Sequence, residues 1–147
     1  MSKLPYVDSY RDLLAYKKAR ELSSEIFQIT KTFPKEEMFS LTDQIRRSSR
    51  SIGAQIAEAW AKRRYQKHFV SKLTDADGEQ QETQHWLDTA ADCGYLSQKQ
   101  ALTLSEKCTE IGRLLGGMIA KADLFCSTPS RSIRESTGNY FVSNDEQ

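Results

Sequence analysis

The stretch from Phe33 to Ala59, FPKEEMFSLTDQIRRSSRSIGAQIAEA, decides the fold. A proline disfavours helical geometry in the residue before it, so Pro34 halts any helix arriving from the N-terminal side. Ser40 followed by Asp43 then reads as an N-cap with an acidic first turn. From there Leu41, Ile45, Ser48, Ile52, Ile56 and Trp60 recur at intervals of three or four, the period of one buried helix face. Ser48, Ser49, Ser51, Gly53, Ala54, Ala57 and Ala59 strip the same segment of bulk. Serine and glycine cost helix propensity, and that cost is tolerable where another backbone approaches closely, inside a bundle or across a subunit contact.

The same period extends in both directions. Upstream, Ala15, Ala19, Leu22, Ile26, Ile29 and Phe33 form one stripe. Downstream, a third segment carries Phe69, Leu73, Ala76, Gln80, Thr83, Leu87 and Ala90, with Gly94 placed to end it. A fourth begins at a Ser97 cap and carries Ala101, Leu104, Cys108, Ile111, Leu115, Met118, Ala122 and Phe125. None alternates with the two-residue period of a half-buried strand. Helices of roughly 22–28 residues, about 35–40 Å long, joined by short connections, predict an all-α, antiparallel up-down-up-down four-helix bundle. The expected divisions are an N-terminal extension over 1–9, the bundle over 10–126 and a flexible tail over 127–147. The tail is rich in Ser, Thr and Asn, with Ile133 and Tyr140-Phe141 as its candidate anchors.

A chain of 147 residues is one domain with enough length for a real core. Its 38% hydrophobic and 28% charged residues are ordinary for a globular protein. No apolar run approaches the ~20 residues of a membrane span, and MSKLPYVDSY lacks the apolar stretch of a secretory signal. Cys93, Cys108 and Cys126 are odd in number and without paired spacing, which predicts small core or near-core residues in a reducing, cytoplasmic setting.

The net charge of +1 conceals a segregation. Between Arg46 and Lys67 stand seven Lys or Arg against one acid, Glu58; between Leu73 and Gln98 stand six acids and no Lys or Arg. Arg46, Arg50 and Arg64 fall on one stripe with Ala57 and Ala61 between them, a candidate phosphate footprint. The alternative is that the basic helix pairs with the acidic one, within the chain or between subunits.

Two constellations could carry chemistry. Glu82-Thr83-Gln84-His85 has the Glu-x-x-His spacing of a di-iron ligand pair, but the second such motif that site needs is absent, so no metal or cofactor is expected. Arg63 and His68 have the Arg-x4-His spacing of the HEPN class of helical ribonucleases, where histidine moves the proton and arginine steadies phosphate charge. A basic cluster produces that spacing by chance, and the expectation is a non-enzyme.

Phe33-Pro34, Glu37, Phe39, Leu41, Gln44-Ile45-Arg46-Arg47, Ser51-Ile52 and Ile56-Ala57-Glu58 together resemble the signature of the bacterial four-helix bundle proteins, which include those encoded in intervening sequences of 23S ribosomal RNA genes. Their relatives include the accessory variability determinant proteins of diversity-generating retroelements. The resemblance covers about Tyr10 to Phe125. It departs at Ala59, where the family has glycine, and at Glu79, where it has serine. It implies a homopentamer and, in the retroelement branch, a scaffold for a reverse transcriptase and its RNA. It carries over Arg46, Arg47, Arg50 and Arg64 as nucleic-acid-binding candidates, with Glu58 and Glu82 as structural partners of those arginines. Two functions follow as expectations: a non-catalytic, self-associating bundle binding RNA or a nucleic-acid enzyme, or a purely protein-binding oligomeric scaffold.

Overall fold

Four long helices and a short fifth account for most of residues 7–126, the part of the chain described by the computed structural model. The expected tail over 127–147 lies outside the described residues. A single 3-10 turn, Tyr10–Asp12, is capped by Ser9, whose Oγ accepts from the Arg11 amide. Val7 and Leu13 are buried on either side of it, so the end of the N-terminal extension joins the core.

Helix α1 spans Leu14–Thr30 and is shorter than its stripe suggested. Its buried face is Ala15, Ala19, Leu22, Ile26 and Thr30; Ile29 is only half-buried. Thr30 survives inside because its hydroxyl donates to the carbonyls of Ile26 and Phe27 at 2.7 and 3.1 Å. Phe33, beyond the helix, still reaches the core and packs on Tyr95 at 5.4 Å.

Helix α2 spans Leu41–Ala61, and all six residues of its expected stripe are buried. Its start corrects the expected cap. Ser40 makes no side-chain cap bond. Its hydroxyl instead donates to Glu37 Oε1 at 2.7 Å, and that oxygen accepts the Leu41 amide at 3.4 Å. The Tyr95 hydroxyl donates to the other Glu37 oxygen at 2.8 Å, tying the α1–α2 connection to the α3–α4 turn. The bonds from Ser40 and Tyr95 hold the Glu37 carboxyl below its ordinary range. The bond to Glu37 pushes the Tyr95 hydroxyl up to about 12.

Helix α3 (Gln66–Asp92) buries all seven expected residues, and Gly94, at φ +79, turns the chain out of it. Helix α4 (Gln98–Ala120) starts in a full capping box between Ser97 and Gln100. It does not run on to Phe125: the chain leaves helical geometry at Lys121, and a short α5 (Ala122–Cys126) follows. That break turns Phe125 onto Phe69, with ring centroids 5.8 Å apart.

The long helices pack in the cyclic order α1, α2, α3, α4 and back to α1, forming the four-helix bundle. The small residues permit close approach. Ser48 and Thr83, both fully buried, share a 2.8 Å hydrogen bond between α2 and α3, and Gly53 lies against the Tyr16 ring. Cys108 is a core residue whose thiol burial pushes up to about 12, and Cys126 is half-buried. Cys93 is exposed, contrary to expectation, because it caps α3 at the outward turn. Among the described residues there is no strand, and no helix is long and apolar enough to cross a membrane.

Candidate functional site

The face shared by α1 and α2 gathers cations around one aromatic ring. Arg46 and Arg50, one turn apart on α2, place their guanidinium carbons 4.7 and 5.4 Å from the centre of the Phe27 ring on α1. The Lys31 ammonium stands 4.9 Å from the same centre. Arg46 is fixed further by donating from Nε to Thr30 Oγ1 at 2.8 Å. Among the described residues none of these three cations has a carboxylate partner. Each contact with the ring is worth about 0.5–1 kcal/mol at an exposed site, too little to neutralise three like charges. The cluster is therefore a standing field for an anion.

A groove of about 530 Å³ runs beside it, lined by Met38, Thr42, Asp43, Arg46, Arg47 and Arg50 among others. The Thr42 hydroxyl, buried at its edge, has no hydrogen-bond partner among the described residues. A second furrow of about 430 Å³ shares Arg50 and Ala54 with the first and leads on to Arg20, Tyr16 and Tyr10. Gly53, Ala54 and Ala57 keep this second furrow open. Arg20 Nη1 donates to the Tyr16 hydroxyl at 3.1 Å, and Arg11 lies over the Tyr10 ring at 4.7 Å. Guanidinium groups thus alternate with aromatic rings along this whole edge.

The structure separates the four expected site residues. Arg46 and Arg50 come together. Arg47, although it borders the groove, gives its guanidinium to α3: Nη2 lies 2.6 Å from Glu82 Oε2 and 3.5 Å from Glu79. Burial pushes the Glu82 carboxyl up, but hydrogen bonds from Trp86 and Arg47 outweigh it and hold the group below its ordinary range. Glu82 is thus the expected structural partner of an arginine, whereas Glu58 pairs with Lys72 at 2.9 Å. Arg64 leaves the stripe because α2 ends at Ala61; it is exposed in the following turn and lines neither furrow. Sequence reasoning missed Phe27, Lys31, Arg20 and Tyr16, since a count of the buried stripe passes over residues beside it. The available signal was the i, i+4 pairing of Phe27 with Lys31 and of Tyr16 with Arg20.

The residues of the other two constellations make contacts of their own. Arg63 lies 3.9 Å over the Trp60 ring and donates to the Trp60 carbonyl, while His68 lines a separate surface hollow with Lys62, Lys67 and Lys72. His85 packs edge-on against Trp86 at 4.7 Å. Among the described residues no group of three or more His, Cys, Asp or Glu is placed to hold a metal. On the α3–α4 face a shallow groove of about 570 Å³ is lined by Asp77, Gln80, Gln84, Asp88 and Arg113 among others. Gln80 and Gln84 are locked there, Gln80 donating to Asp77 at 2.9 Å and Gln84 to Gln80 at 2.8 Å.

Fold and site together define a helical bundle with a cationic, aromatic-lined edge. The family model for 23S rRNA-intervening sequence protein matches residues 11–117, and the chain belongs to that family. No curated protein matches it. It is similar to a solved structure from Bacteroides thetaiotaomicron, described as a protein with unknown function from the S23 ribosomal protein family. That similarity has 31% identity and a TM-score of 0.66, over 73% of this chain and 96% of the other.

Proposed function

We propose that this protein binds RNA through the α1–α2 edge, as a self-associating scaffold without chemistry of its own. The observation that carries the reading is the cluster of Lys31, Arg46 and Arg50 around Phe27, unneutralised by any carboxylate among the described residues. Phosphate oxygens would supply the missing counter-charge and release bound counterions in doing so. A homopentamer, the assembly implied by the family resemblance, would present five such edges, and avidity would compensate for a net charge of only +1. A reverse transcriptase with its template RNA is one partner such an edge could serve.

The test is retention of a labelled RNA by the full chain carrying Arg46→Glu and Arg50→Glu, alongside helix content and light-scattering mass. Loss of retention with both other readouts unchanged is the expected result. Retention equal to that of the parent protein would refute the reading.

A second reading draws on the opposite face. In the cyclic packing order the α3–α4 groove, with Asp77 and Asp88, lies across the bundle from the arginine edge. One copy could therefore offer carboxylates to the arginines of the next, giving a protein-binding scaffold. In that case the same two substitutions would lower the mass.

A further inference from the structure

We infer that the arginine edge takes an unpaired, single-stranded stretch of RNA, with phosphates on Arg46 and Arg50 and a base stacked on Phe39. The inference rests on the RNA-binding reading above and adds the form of the ligand. The first groove runs along α2 beside Met38, and the second furrow lies between α1 and α2, whose axes stand about 8–10 Å apart. A duplex is much wider than that second furrow and can touch only its rims. A single strand can enter. Arg46 and Arg50 are four residues apart, a rise of about 6 Å along α2, so their backbone positions suit neighbouring phosphates of one strand. The two furrows border each other at Arg50 and Ala54, which gives the site a length suited to a chain.

Phe39 supplies the second half of the inference. It directly follows Met38, which lines the groove, and it is 92% exposed. Phe33, six residues earlier, is buried and packed on Tyr95, whereas the Phe39 ring makes no aromatic or cation contact among the described residues. A solvated aromatic ring one residue from the lining of a cationic groove offers the two elements by which single strands are held without reading their sequence: phosphates in the groove, a base on the ring. The packed rings of Phe27 and Tyr16 cannot serve in this way, since arginines already cover them.

The experiment measures fluorescence anisotropy of the full chain with three probes: an unstructured RNA of about 12 nucleotides, the same sequence as a blunt duplex, and heparin. The single strand is expected to bind at least about tenfold more tightly than the duplex. Phe39→Ala should weaken single-strand binding about tenfold, leave heparin binding and the salt dependence unchanged, and be rescued by Phe39→Trp. Equal affinity for the duplex, or no effect of Phe39→Ala, would overturn the inference while leaving RNA binding standing. Failure of every RNA to bind would remove the parent reading and this inference with it. A fall in light-scattering mass on Phe39→Ala would assign the ring to a subunit contact and overturn the stacked base.

Discussion

Arg46 donates a hydrogen bond from Nε to Thr30 Oγ1 at 2.8 Å, and this bond joins the last turn of α1 to the arginine edge of α2. It holds the guanidinium beside Phe27 through Nε, and the terminal nitrogens have no carboxylate partner among the described residues. Thr30→Val keeps the shape and removes the acceptor. Stability should fall by about 0.5–1.5 kcal/mol in a urea melt. RNA affinity should fall as well, because Arg46 is no longer preorganised.

Salt dependence separates the arginines by role. Arg46→Gln and Arg50→Gln should each reduce the slope of log affinity against log salt by about 1, as expected for a lost phosphate contact. Arg64→Gln, outside both furrows, should leave the slope unchanged within error. A slope lowered as much by Arg64→Gln would place the footprint beyond α2.

Arg47 is a structural residue in this geometry. Its pair with Glu82 is substantially exposed and worth about 0.2–1 kcal/mol. Arg47→Glu sets like charges side by side and should lower the melting temperature. Combining it with Glu82→Arg should recover most of the loss, a double-mutant cycle that thermal melts can read.

The strap between Glu37 and Tyr95 should give stability a pH window. The Glu37 carboxyl titrates below its ordinary 4.5 in the folded state. Its contribution is therefore present above the unfolded value and lost as the pH falls through the lower folded value. Tyr95 is raised from 10.0 to about 12, so its contribution is complete below about 10 and lost as the pH climbs through 12. Melts of parent protein and Glu37→Gln should differ most between those limits and converge in acid.

Two glycines on α4 should behave differently. A Cβ at Gly116 meets nothing within 4 Å, so Gly116→Ala should gain about 0.5–1 kcal/mol of helix propensity. At Gly112 the added atom would lie 2.7 Å from Gln80 Nε2, forcing the buried amide off Asp77. Gly112→Ala should fall well short of that gain or destabilise, as denaturant titration would show.

Fold and site were unequally legible in the sequence. The seven buried residues of α3 and six of the ten on α2 follow directly from the helical period, because burial of a stripe depends on spacing alone. The spacing does not reveal that Ser40 leaves its cap unmade, because Glu37, three residues earlier, takes the Ser40 hydroxyl as a donor. The break at Lys121 leaves no mark on the apolar pattern, since Ala122 and Phe125 are buried either way. At the site, Arg46, Arg47 and Arg50 were visible as charge, but their separation was not. Which arginine turns to Phe27 and which to Glu82 depends on how α1 and α3 sit beside α2, and that register is a property of packing between helices.

The opposition of the arginine edge and the carboxylate-lined α3–α4 face has a kinetic consequence. A protein with almost no net charge here keeps Lys31, Arg46 and Arg50 unneutralised on one edge, away from Asp77 and Asp88. In the field of a polyanion such a molecule is turned before it touches, so that most encounters begin with the arginine edge foremost. Its association rate should then respond to ionic strength far more steeply than its overall charge of +1 would suggest.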